Sequence, residues 1–149
     1  MCKCNNKYRD DKLHHECGVL GIYGVDDAAG LAYYGLHALQ HRGQQGCGIV
    51  TVGPTGEFHR VKGDGLVSEV FNEQKMEKLP GRMAIGHVRY SNAGCKGTEN
   101  IQPFLFHHNS GDFAMANNGQ IVNYNQLRQE LEDKGSLFQS SSDAEVMAH

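Results

Sequence analysis

From Cys17 to Gly24 the chain reads Cys-Gly-Val-Leu-Gly-Ile-Tyr-Gly, a short apolar run with glycine at every third position from 18. A run of this length closed by glycine is a strand. A thiol at its first residue, beside a glycine that lets other backbone come close, is an odd place for a cysteine with a structural role alone. We therefore read Cys17 as a nucleophile and ask whether the remaining sequence supplies a base, an oxyanion site and a substrate clamp. Residues 1–16 are polar around a single Leu13 and hold no apolar stretch of the kind a secretory signal needs. They read as a solvated leader or as a propeptide ending at Glu16.

The segments that follow alternate between strand and helix signals. Asp26 and Asp27 can cap a helix whose inner face is Ala32, Leu36 and Leu39, stopping near Gly43. His41 to Gly46 is a tight connection into a strand over 47–52, which Pro54-Thr55-Gly56 turns back into a second over 57–62. Leu66, Val67, Val70 and Phe71 have the spacing of a short amphipathic helix, closed by Pro80-Gly81. Met83 to Tyr90 is a strand that delivers His87 and Arg89 to one side. Ser91 to Pro103 loses periodicity and is expected to be a long loop.

A hairpin over 104–108 and 112–116 then leads into Asn117-Asn118-Gly119. Asn123 is expected to cap a helix ending at Gly135, and Ser142-Asp143-Ala144-Glu145 has the form of a capping box. Hairpins alternating with helices imply antiparallel sheet covered by helices. The last helix has scarcely begun at His149, so a domain truncated at its C-terminus is expected over 17–149.

At 149 residues there is room for one domain, and a net charge of −3 provides no basic footprint for nucleic acid. No apolar run reaches the roughly 18–20 residues of a membrane span. Five cysteines, an odd number with no C-x-x-C, fit free thiols in a reducing, cytoplasmic compartment. Cys2 and Cys4 with His14 and His15 have no recognised zinc spacing, and no metal site is expected.

A cysteine thiol is mostly protonated at neutral pH and needs a neighbour to activate it. Two kinds of base are on offer. One is a histidine, of which there are nine. The other is the α-amine of Cys17 itself, which exists only if the bond from Glu16 is cut and which titrates near enough to neutral to carry a proton both ways. Taken singly, Cys17 reads as a small buried hydrophobe, Arg89 as an ion-pair residue, Asn118-Gly119 as a turn and Asp143 as a helix N-terminal charge.

Their ordered company changes that reading. Cys17-Gly18-Val19-Leu20-Gly21-Ile22, Leu39-Gln40-His41-Arg42-Gly43-Gln44, Gly86-His87-Val88-Arg89-Tyr90, Asn118-Gly119 and Ser141-Ser142-Asp143 resemble, in that order, the class II (N-terminal nucleophile) glutamine amidotransferases, and among them the amidophosphoribosyltransferase branch. The resemblance covers residues 17–149, and Glu16 resembles the family's propeptide boundary. It implies an α+β fold, a four-layer αββα sandwich of antiparallel sheets. It also implies a cysteinyl thioester route that releases ammonia from glutamine for transfer to phosphoribosyl pyrophosphate in purine synthesis.

Carried over residue by residue, the resemblance makes Cys17 nucleophile and, through its amine, proton carrier. Asn118 and Gly119 become the oxyanion hole, Gly119 being also able to adopt positive φ. Arg89 resembles the grip on the glutamine α-carboxylate, Asp143 the contact to its α-ammonium, and Ser91 to Pro103 the flap over the substrate. Asn92 stands where the family usually has threonine. Arg42 and His87 take supporting roles. The resemblance implies a phosphoribosyltransferase domain as partner and a homo-oligomer at full length. Iron–sulfur cluster and magnesium are expected only in that absent domain. The alternatives are an unprocessed, inactive fragment, an assembly or regulatory domain, or the glutaminase domain of another branch.

Overall fold

The computed structural model describes residues 17–90 and 98–149. Four strands, β1 (Gly18–Tyr23), β2 (Gly46–Val52), β3 (Phe58–Asp64) and β4 (Met83–Arg89), form one antiparallel sheet in the order β1-β4-β2-β3. Side chains alternate across a sheet, so its register assigns every residue to a face. Gly18, Val88, Cys47 and Gly63 lie in one row across the sheet, and Leu20, Gly86, Ile49 and Val61 in the next row on the same face. That face is buried under α1 (Ala28–Ala38), whose Ala28, Ala29, Ala32 and Leu36 join Cys47, Ile49, Ala84 and Val88 in the main core. The Asp27 side chain caps α1 by accepting from the Gly30 N–H at 3.0 Å.

The opposite face carries Val19, His87, Gly48 and Lys62 in one row, and Arg89, Gly46 and Asp64 in the row beyond. The short strands β5 (Phe104–Phe106) and β6 (Phe113–Met115) pair as a second antiparallel sheet. The chain leading into β5 lies on this opposite face: a Cβ on Gly48 would fall 2.4 Å from the Gln102 carbonyl oxygen, and one on Gly46 would fall 2.6 Å from Ile101 Cδ1. The two glycines therefore let the residues before β5 press directly onto the sheet. Further along, Gly21, Tyr23, Val50, Met83 and Phe113 line an open apolar groove of about 490 Å³.

Three local expectations are corrected. The helix expected around Leu66 to Phe71 is two single turns, α2 (Val67–Val70) and α3 (Glu73–Met76). Phe71 is extended, and the Asn72 side chain restarts the helix by accepting from the Lys75 N–H at 3.0 Å. Asn123 precedes α4 (Tyr124–Asp133) without a side-chain capping bond, whereas Gly135 closes that helix with φ +96°. Ser142 caps α5 (Asp143–Val146), but Glu145 does not complete a capping box. Its buried carboxylate instead accepts from the backbone N–H groups of Gln139 at 2.8 Å and Ser140 at 2.7 Å, folding the preceding loop under the helix.

Candidate functional site

Cys17 precedes β1, and carrying the ladder one pair beyond Gly18 and Val88 sets it opposite Arg89. Its half-buried Sγ accepts from the Tyr90 N–H at 3.3 Å and donates to the Tyr90 carbonyl at 3.6 Å. The Arg42 Nε donates to the Cys17 carbonyl at 3.4 Å. Arg42 is held in a 3₁₀ turn (Gln40–Arg42) by Gln40, whose Oε1 accepts from the Val67 N–H at 2.7 Å and whose Nε2 donates to the Gly43 carbonyl at 2.5 Å. A Cβ on Gly43 would fall 2.6 Å from the Arg89 carbonyl carbon, so glycine there lets the turn pack on the end of β4. Cys17, Arg42 and Arg89 are thus one local arrangement built by β1, β4 and this turn.

Arg89 makes no ion pair among the described residues, which leaves its half-buried guanidinium unspent on the sheet face away from α1. Two residues back on the same face, His87 is fully buried, and among the described residues neither ring nitrogen has a hydrogen-bond partner. Burial pushes its pKa down to about 4, the nearby Asn117 backbone pulls it partly back, and the Arg89 charge lowers it further. His87 is therefore neutral at pH 7 and unsuited to accept a proton from a thiol. The imidazole of an unfolded chain titrates near 6.5, so between pH 6.5 and 4 the unfolded state binds more protons and stability falls as pH falls. His87 is expected to contribute up to about 3 kcal/mol to that loss. Urea unfolding at pH 7 and pH 4.5 should show it in the native protein and not in His87→Asn.

The Asn117 backbone that lies by His87 leads directly into Asn118 and Gly119, both exposed. Gly119 is not among the glycines with positive φ, so the left-handed backbone that glycine would allow there is not adopted. Asp143 is joined to the same turn, since its Oδ2 accepts from the Ile121 N–H at 2.7 Å. Its other carboxylate oxygen has no partner among the described residues. A linked path thus runs from Cys17 through Arg89 and His87 to the Asn118 turn and on to Asp143. Asn92, Cys95 and Lys96 lie outside the described residues.

Asn100 and Gln102, two residues that sequence reasoning left in a loop, are buried and bonded to the segments bearing Asp143 and Asn118. Lys62 was likewise unassigned. Its ammonium donates to the Ile101 carbonyl at 2.9 Å, and burial lowers its pKa to about 8, with Arg60 adding to the effect and Glu99 opposing it. Cys47 is the structural thiol of the pair, fully buried in the core with its pKa raised to about 12 by desolvation. Among the described residues no group of three or more His, Cys, Asp and Glu comes together as a metal site, and no helix is long and apolar enough to cross a membrane.

A cysteine opening the edge strand of one of two antiparallel sheets, facing an arginine on the adjacent strand, defines the class: an α+β, αββα fold of the N-terminal nucleophile type. Residues 73–149 match the family described as glutamine amidotransferase domain, and the chain belongs to that family. It is 54% identical over 145 residues to amidophosphoribosyltransferase 1, chloroplastic, of Arabidopsis thaliana, covering 97% of this chain and 26% of the relative. It is 55% identical over 139 residues to the amidophosphoribosyltransferase of Bacillus subtilis, covering 92% and 29%.

Among solved structures, the allosteric regulatory enzyme of purine biosynthesis superposes with a TM-score of 0.84 at 52% identity, over 88% of this chain and 28% of that one. The glutamine phosphoribosylpyrophosphate amidotransferase from Bacillus subtilis complexed with ADP and GMP superposes with a TM-score of 0.81 at 51% identity, again over 88% and 28%. The chain thus spans between a quarter and a third of the length of these relatives.

Proposed function

We propose that this chain is the glutamine-hydrolysing domain of an amidophosphoribosyltransferase, active once residues 1–16 are removed and Cys17 carries a free α-amine. The observation that carries the reading is the 3.3 Å contact between the Tyr90 N–H and Cys17 Sγ, which fixes the sulfur beside the strand end bearing Arg89. Sγ, its proton taken by the α-amine, attacks the side-chain amide carbon of glutamine and forms a C–S bond. The resulting oxyanion is held by the Asn118 carboxamide N–H and the Gly119 backbone N–H. The ammonium form of the amine then protonates the leaving nitrogen, the C–N bond breaks and ammonia departs. Water attacks the thioester, again with the amine as base, and glutamate leaves.

Arg89 receives the substrate α-carboxylate with a planar pair of donors, and Asp143 receives the α-ammonium on the oxygen that the Ile121 bond leaves open. Released ammonia passes to a phosphoribosyltransferase domain and displaces pyrophosphate from phosphoribosyl pyrophosphate, in a reducing compartment such as the cytoplasm. The names of the relatives and the fraction of their length that this chain spans support this division of labour. The test is to assay the natural-length protein with glutamine and with asparagine. Equal amounts of glutamate and ammonia from glutamine, with asparagine inert because its amide sits one methylene short, are expected. Absence of glutamine turnover in protein shown by mass to begin at Cys17 would overturn the reading.

A further inference from the structure

Asn100 ends a 3₁₀ turn (Thr98–Asn100), Ile101 and Gln102 follow it towards β5, and all three residues are buried. Ile101 is the anchor. Its side chain lies on Gly46, the residue opposite Arg89, and its carbonyl accepts from Lys62 Nζ at 2.9 Å. The polar side chains on either side reach to two different parts of the site. Gln102 Oε1 accepts from the Asn117 N–H at 2.6 Å, and Asn117 is followed at once by the Asn118-Gly119 turn. Asn100 Oδ1 accepts from the Ser141 N–H at 3.0 Å while its Nδ2 donates to Ser141 Oγ at 3.0 Å. Ser141 is followed by the Ser142 cap and then by Asp143 at the first position of α5.

We infer that Asn100 and Gln102 are positioning residues which set, from one anchored stretch, the two halves of the glutamine site. Gln102 aims the oxyanion donors through Asn117, and Asn100 aims the ammonium contact through Ser141. This rests on the roles given above to Asn118, Gly119 and Asp143. The two halves act at different stages, which makes the inference separable from plain satisfaction of buried polar groups. An oxyanion exists only in the transition state, so misplacing its donors lowers kcat and leaves KM alone. The substrate ammonium is present from the start, so misplacing Asp143 raises KM.

The experiment compares Gln102→Met, which removes the acceptor at similar shape, with Asn100→Leu in the natural-length protein, together with Gln102→Glu and Asn100→Asp, which keep it. Gln102→Met is expected to lower kcat by about 10²-fold with KM nearly unchanged. Asn100→Leu is expected to raise KM for glutamine by about tenfold with kcat nearly unchanged. Gln102→Glu and Asn100→Asp should recover most of each loss. Hydrogen exchange gives a second reading free of activity: the Asn117 amide should lose protection in Gln102→Met alone, and the Ser141 amide in Asn100→Leu alone. Turnover that falls in the same parameter for both variants, or only through a smaller fraction of protein that a glutamine-like electrophile can label, would overturn the inference. Loss of protection at both amides in either variant would do the same. A wild-type protein without glutamine turnover would instead bring down the functional reading on which it rests.

Discussion

Cys17→Ala in a protein beginning at residue 17 should lower glutamine hydrolysis by about 10⁴-fold or more, to the floor of a coupled glutamate assay. The size follows from the chemistry: without sulfur no thioester forms, and the α-amine alone has only water to activate. Folding should survive, because Cys17 lies half-buried outside the β1 ladder and, among the described residues, its sulfur bonds to the Tyr90 backbone alone, which water can replace. The same substitution at Cys47 would act on the core, where that thiol is fully buried. Retention of even a hundredth of the rate in Cys17→Ala would place the nucleophile elsewhere.

Asn118→Ala should have the second largest effect, a fall in kcat of about 10² to 10³, equivalent to about 2.7–4 kcal/mol, with little change in KM. The ordinary reading of an Asn-Gly pair is a turn, and on that reading replacing an exposed Asn118 would leave kcat where it was. Steady-state kinetics with glutamine therefore separates the two. Urea midpoints should coincide for Asn118→Ala and wild type, since the side chain has no partner among the described residues to lose.

What the sequence made legible was local. Short apolar runs bounded by glycine and turn residues marked β1, β2 and β4, and the two-residue spacing of His87 and Arg89 gave their shared side, because a side chain's face follows from parity. Asp27 and Gly135 were readable because each acts within a few residues of itself. Asn72 was not recognised as a fresh cap, because the apolar spacing of Leu66 to Phe71 hid the break.

The least legible features were long-range. Gln102 and Asn100 bond partners 15 and 41 residues away, so they looked like the tail of a polar loop. Glu145 was read as half of a capping box, since the sequence could not show that its carboxylate would turn back to Gln139 and Ser140. Nor could it show that Asp143 would be tied to Ile121, the contact that couples α5 to the Asn118 turn. The signal that could have found Gln102 was its position: a polar residue directly before Pro103 and the apolar strand β5 must either face water or find a partner.

The most direct test of the central claim is mass mapping of the natural-length protein after inactivation by 6-diazo-5-oxonorleucine, an electrophile shaped like glutamine. The account predicts a polypeptide that begins at Cys17, with one adduct, on Cys17 Sγ. An active protein that keeps residues 1–16, or an adduct on any other residue, would contradict it.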